Sequence, residues 1–188
     1  MALVLREVSA VLCSREGVRY VIDGSEQTLH HRGAALLVRG RVFRGDEVLP
    51  WELVAKQLDA LSELCDLRSY VSRLSGSFWL VYRVKQMSFL ATDPVGVMPM
   101  WLSHGADHLV ASVHPSCHFS SQLHQSCPRL QHCWDGRLLS EPVAFYGLHG
   151  PDSDLLMPES LREAFSTALK RCVQGEQRVG LWPGPAHS

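Results

Sequence analysis

The run Ser77-Phe78-Trp79-Leu80-Val81-Tyr82-Arg83-Val84 is apolar at almost every position, and it limits the possible folds more than any other stretch of the chain. A strand with one wet face alternates between apolar and polar residues; one that does not alternate is buried on both faces. Lys85-Gln86 makes a tight turn into Met87 to Thr92, Asp93-Pro94-Val95-Gly96 turns the chain into Val97 to Leu102, and His104-Gly105-Ala106-Asp107 leads into His108 to Val113. Parallel neighbours need long crossovers, so strands joined this tightly form an antiparallel sheet. Helices or a second sheet must cover both of its faces.

The flanking segments supply candidates for that cover. Residues 3 to 12 and 18 to 23 read as a hairpin across Ser14-Arg15-Glu16-Gly17, with Asp23-Gly24 closing the second run. A strand over Ala34 to Phe43 precedes a helix that starts near Pro50, carries Leu53, Val54, Leu58 and Leu61 on one stripe and ends near Cys65. A short helical piece follows around Tyr70 to Leu74. Residues 114 to 135 have loop composition. Leu161, Ala164, Phe165, Ala168, Leu169 and Cys172 make one continuous helical stripe, and a last short strand spans Arg178 to Trp182.

Charge and composition narrow the function. Lys plus Arg is 18 against 19 for Asp plus Glu, which leaves no basic excess for a phosphate backbone, so nucleic acid is not an expected partner. No window reaches the ~18 apolar residues of a membrane span and no basic leader precedes an apolar stretch. The expectation is a cytoplasmic protein with reduced cysteines and no membrane partner.

Three motifs carry a family resemblance. Val38-Arg39-Gly40-Arg41-Val42-Phe43-Arg44 resembles the strand motif N-G-E-I-Y-N of the glutamine amidotransferase domain in asparagine synthetase-like proteins. Leu74-Ser75-Gly76-Ser77-Phe78-Trp79-Leu80-Val81-Tyr82 is similar to that family's L-x-G-x-F-A-F-x-x-Y. Leu90-Ala91-Thr92-Asp93-Pro94-Val95-Gly96-Val97-Met98-Pro99-Met100-Trp101 is similar to its L-A-R-D-R-x-G-x-K-P-L-Y, and Leu109-Val110-Ala111-Ser112 stands where the family has F-A-S-E. The match runs from Arg39 to Val113, about two-fifths of the chain. It implies an α+β fold: two stacked antiparallel sheets flanked by helices, the Ntn-hydrolase-like αββα sandwich. It also implies a domain over residues 1–150 and, over 151–188, a helix and strand that are the remnant of the entry to a synthetase domain. Only Gly184 and Ser188 match that domain's S-G-G-L-D-S loop.

The same resemblance implies that the chemistry is lost. The family's nucleophile is a cysteine at position 2, where thiol and general base share one residue; here it is Ala2. Gly40 keeps the backbone donor of the oxyanion hole, but Arg39 replaces the Asn beside it, and losing a well-placed donor costs about 2.7 to 4 kcal/mol of transition-state stabilisation. Asp93 matches the aspartate that holds the glutamine α-amino group, and it equally suits a turn-initiating Asp before Pro94. Gly40 and Asp93 are thus vestigial substrate-binding positions, with no catalytic residue, metal or cofactor. The segment before Arg41 also lacks the family's R-G-P-D and H-x-R-L motifs, and His30-His31-Arg32 does not replace them. Beta-lactam synthetases and lasso-peptide cyclases are similar in this loss. The expected role is a non-catalytic companion to a separate ATP-binding synthetase protein, not an enzyme by itself. Cys13, exposed by removal of a propeptide, is the remaining nucleophile candidate.

One signal competes. His114-x-x-Cys117 and His124-x-x-Cys127 repeat a two-ligand spacing within the His/Cys cluster 114–133, and two such hooks supply the four ligands of a zinc-stabilised interaction module. The bland reading is a His-rich loop in a chain of 10 histidines.

Overall fold

The structure, a computed structural model, describes residues 2–30, 33–45, 47–61, 63–93, 96–115, 124–125, 130–137, 143–144 and 158–173. The strands are β1 (Leu3–Leu5), β2 (Val8–Ser14), β3 (Val18–Ile22), β4 (Ser25–Leu29), β5 (Ala34–Arg44), β6 (Glu47–Val48), β7 (Ser75–Val84), β8 (Met87–Thr92), β9 (Trp101–His104), β10 (His108–Ser112), β11 (His124–Gln125), β12 (Leu130–Trp134) and β13 (Val143–Ala144). The helices are α1 (Trp51–Asp59), α2 (Leu64–Val71) and α3 (Pro158–Val173). Two compact units divide the chain, Met1–Gly147 and Leu148–Ser188.

The first unit holds both sheets. One runs β1-β5-β7-β8-β12-β13, with β6 paired to β5, and the other runs β11-β9-β10-β2-β3-β4. β7 lies inside the first sheet and is buried on both faces for the expected reason. Phe78, Leu80 and Tyr82 point into a core shared with Trp51, Val54, Ala55 and Leu58 of α1 and with Leu67 and Val71 of α2. Trp79 and Val81 point the other way, into a core shared with Val11, Cys13, Leu102, Leu109 and Ala111 of the second sheet. The fold is therefore α+β, with two stacked sheets and helices on the outer face of the first. Among the described residues of this unit, the outer face of the second sheet carries no helix.

The structure corrects several expectations. The run over residues 3 to 12 is two strands in different sheets. β1 pairs with β5, and this pair is parallel. The chain crosses to the second sheet at Glu7, whose φ of 56° is uncommon for a residue with a Cβ. Asp23 (φ 49°) and Gly24 (φ 78°) form the turn into β4, a polar edge strand that its composition hides. α1 stops at Asp59 and α2 begins at Leu64, where the stripe had suggested one helix to Cys65. Leu53 is exposed, while Trp51 and Ala55 are buried. β9 starts at Trp101 and not at Val97. β12 lies in the segment read as loop, paired with β8.

In the second unit α3 forms over Pro158–Val173, and of the expected stripe Phe165, Ala168 and Leu169 are exposed, as is Val173. The expected strand over 178–182 lies outside the described residues. Among the described residues no helix is long and apolar enough to cross a membrane.

Candidate functional site

Gly40 and Asp93 flank Phe78 toward one end of the first sheet, and Arg39 precedes Gly40 on β5. Gly40 faces Phe78 across β5 and β7. Its φ is +95°, and a Cβ there would sit 2.0 Å from the Ser77 carbonyl oxygen, so no other residue fits. The Gly40 carbonyl accepts a hydrogen bond from Trp51 Nε1 at 3.0 Å, which ties the first residue of α1 to the sheet. The Trp51 ring meets Phe78 edge-on, with centroids 6.1 Å apart.

Asp93 follows β8 and is fully buried. Its N–H donates to the Phe78 carbonyl at 2.7 Å, extending the β7–β8 pairing by one residue. Phe78 thus lies between Gly40 and Asp93, which sit two strand spacings, about 10 Å, apart. The Asp93 carboxylate accepts from the backbone N–H groups of Gly96 (2.6 Å), Val97 (3.0 Å) and Met98 (2.9 Å). Those bonds hold the backbone of 96–98 in a loop and explain the late start of β9. They occupy three of about four acceptor positions on a carboxylate.

Arg39 is half-buried and reaches toward the second sheet, where its Nη1 donates to Ser9 Oγ at 3.2 Å. Ser9 sits where the β2–β3 register shifts between Val8 and Ala10, so it is the extra residue of a β-bulge. Its carbonyl accepts from Val113 N–H at 3.0 Å, joining the start of β2 to the end of β10. Ser9 gave no signal in the sequence, because a bulge is a property of pairing and not of composition.

Ala2 is elsewhere. Leu3 pairs with Ala35 in the parallel β1–β5 ladder, which puts Ala2 at the level of Ala34, six residues or about 20 Å along β5 from Gly40. The comparison of position 2 with a catalytic cysteine therefore does not describe this site. The residue that stands beside Arg39 at the start of a strand is Ser9, with chain on both sides of it. Cys13 lies four residues further along β2, about 13 Å away, and is 1% exposed in the core between the sheets. Burial pushes its thiol up from the ordinary range, against smaller opposing effects of a hydrogen bond with Ser88 and the charge of Arg83. A thiol in that state is neither accessible nor ionised at neutral pH.

Arg83 is the second polar residue that the sequence concealed. It is 1% exposed. Its Nη1 donates to Ser88 Oγ at 3.1 Å and its Nη2 to the Ser14 carbonyl at 2.6 Å, while the guanidinium lies 5.7 Å from the centre of the Trp134 ring.

The zinc reading falls largely outside the described residues, which exclude Cys117 and Cys127. His124 lies on β11 opposite Leu102, and His132 and Cys133 lie on β12 opposite Leu90 and Phe89. Among the described residues no group of three or more His, Cys, Asp or Glu side chains is placed to hold a metal ion.

The stacked-sheet α+β arrangement is the fold of Ntn-type glutamine amidotransferases. Two solved structures carry the likeness. One is described as the allosteric regulatory enzyme of purine biosynthesis, with a TM-score of 0.53 and 14% identity, and the other as glutamine phosphoribosylpyrophosphate amidotransferase from B. subtilis complexed with ADP and GMP, with 0.54 and 11%. Each comparison covers 75% of this chain and 43% of the neighbour, so the chain spans less than half of either enzyme. No family profile and no curated protein matches the sequence.

Proposed function

We propose that this chain is a non-catalytic glutamine amidotransferase-like domain related to asparagine synthetase, and that it serves as a structural or partner subunit of a separate ATP-dependent, amide-forming protein. The observation that supports this is the state of the site end of the sandwich. Arg39 is spent on Ser9, the Asp93 carboxylate is engaged by three backbone N–H groups, and Gly40 is required by close packing. The thiol nearest along β2 is buried and protonated. Each residue that the resemblance links to glutamine thus has a structural task in this chain, and among the described residues no cysteine stands beside them. In this reading residues 151–188 are the remnant of the passage into a synthetase domain, and the exposed Phe165 and Leu169 of α3 are where a partner docks.

Ammonia release from glutamine tests the proposal. The purified protein is expected to release none above a control without protein. Release well above that control, and abolished by Cys13→Ala, would overturn the reading and make Cys13 a working nucleophile.

A further inference from the structure

A cavity of about 400 Å³ opens on the helical side of the first sheet, lined by Arg44, Gln57, Ala60, Leu61, Tyr70, Arg73 and Leu74. Its construction is local and follows from the strand and helix ends that meet there. Arg44 is the last residue of β5, just before Gly45 (φ +61°) starts the turn to β6. Gln57 and Ala60 come from the end of α1, Tyr70 from the last turn of α2, and Arg73 and Leu74 from the link to β7.

The chemistry of the lining is one-sided. Tyr70 donates its hydroxyl to Gln57 Oε1 at 2.5 Å, which uses the amide's acceptor and leaves its NH₂ as a donor. Arg73 Nε donates to the Ser69 carbonyl at 3.1 Å, and neither Arg73 nor Arg44 forms an ion pair with a carboxylate among the described residues. Both guanidinium charges act on one point: burial pushes the Tyr70 phenol up, and the positive charges of Arg44 and Arg73 pull it back down. Two guanidiniums beside one hydroxyl, neither in an ion pair among the described residues, offer charge-assisted donors to an anion placed between them. Leu61, Leu74 and the Tyr70 ring form the apolar remainder of the wall, and the volume exceeds what a bare inorganic anion fills.

We propose that this cavity binds a small organic oxyanion, a phosphate monoester or a carboxylate carried on a ring-sized apolar body. The anion lies between Arg44 and Arg73 within reach of the Gln57 amide, and the apolar body lies against Leu61, Leu74 and Tyr70. The site is built wholly from residues 44–74 and does not depend on the reading of the Gly40–Asp93 end.

Calorimetric titration of the full chain with phenyl phosphate, benzoate, phenol and inorganic phosphate tests it. Saturable one-to-one binding of phenyl phosphate or benzoate is expected, with the tighter of the two identifying the anion. That probe should bind at least tenfold more weakly to Arg44→Gln and to Arg73→Gln, and phenol and inorganic phosphate should each bind at least tenfold more weakly than it does. Both arginines are exposed, so the variants should keep the parent melting temperature. Amide chemical-shift changes in the parent protein, concentrated in residues 57–61 and 70–74, locate the site without any variant. Absence of binding by both aromatic anions, equal binding by the Gln variants, or inorganic phosphate binding as tightly as phenyl phosphate would overturn the proposal.

Discussion

The two ends of the stacked sheets use polar side chains in opposite ways. At the Asp93 end the partners are backbone groups supplied within five residues, and the glycine opposite Phe78 is required because the Ser77 carbonyl comes so close. At the Arg83 end the Ser88 hydroxyl is local, just across the β7–β8 turn, but the Ser14 carbonyl and the Trp134 ring come from distant parts of the chain. Backbone donors survive substitution of the residues that provide them, whereas the Ser88 hydroxyl and the Trp134 ring do not. The Asp93 end is therefore held rigid by the residues once read as a binding site, and the Arg83 end is a buried charge whose Nε has no hydrogen-bond partner.

The largest effect should come from Gly40→Ala. The added Cβ cannot avoid a backbone oxygen, and φ is unfavourable for any other residue, so the cost should reach about 4 kcal/mol or leave the chain unfolded. A denaturation midpoint within about 1 kcal/mol of the parent would show that β5 and β7 do not approach as described.

Next is Asp93→Ala, which strips the acceptor from three backbone donors and should cost about 3 kcal/mol, with Asp93→Asn losing roughly half as much because one oxygen remains. Equal losses for Ala and Asn would mean that the carboxylate charge, and not its acceptor geometry, holds the loop.

At the opposite end the choice of replacement should matter more than the loss of the charge. Arg83→Ala leaves a void and two unpaired oxygens and should cost about 3 kcal/mol; Arg83→Met refills the stem volume and removes the desolvation penalty, for a loss of about 1 kcal/mol. If Met is as damaging as Ala, the guanidinium bonds to Ser88 and Ser14 outweigh the cost of burying the charge, and the contrast between the ends disappears.

What could be read from the sequence follows the same division between local and distant. The doubly buried β7, the Lys85-Gln86 and Asp23-Gly24 turns and the Asp93 turn are written in adjacent residues, and the structure contains all four. The split of residues 3 to 12 between two sheets was hidden because the crossing uses Glu7 at positive φ with no glycine to mark it. β12 was hidden because its Gln131 and His132 are polar yet buried, Gln131 Nε2 donating to the Arg68 carbonyl of α2. Gly40 and Asp93 were found through their motifs. Ser9 was not, since its place beside Arg39 depends on a bulge, and the distance of Ala2 from Gly40 is set by the parallel β1–β5 register, which no local pattern announces.

The central claim, that among the described residues no reactive nucleophile faces the Gly40–Asp93 end, is tested most directly by intact-mass measurement after incubation with an electrophilic glutamine analogue such as 6-diazo-5-oxo-L-norleucine. The native protein should keep its mass over hours at neutral pH, and denatured protein should serve as the control for thiols that folding protects. A single stoichiometric adduct on the native protein, mapped by peptide fragmentation to Ser9 or Cys13, would contradict the account.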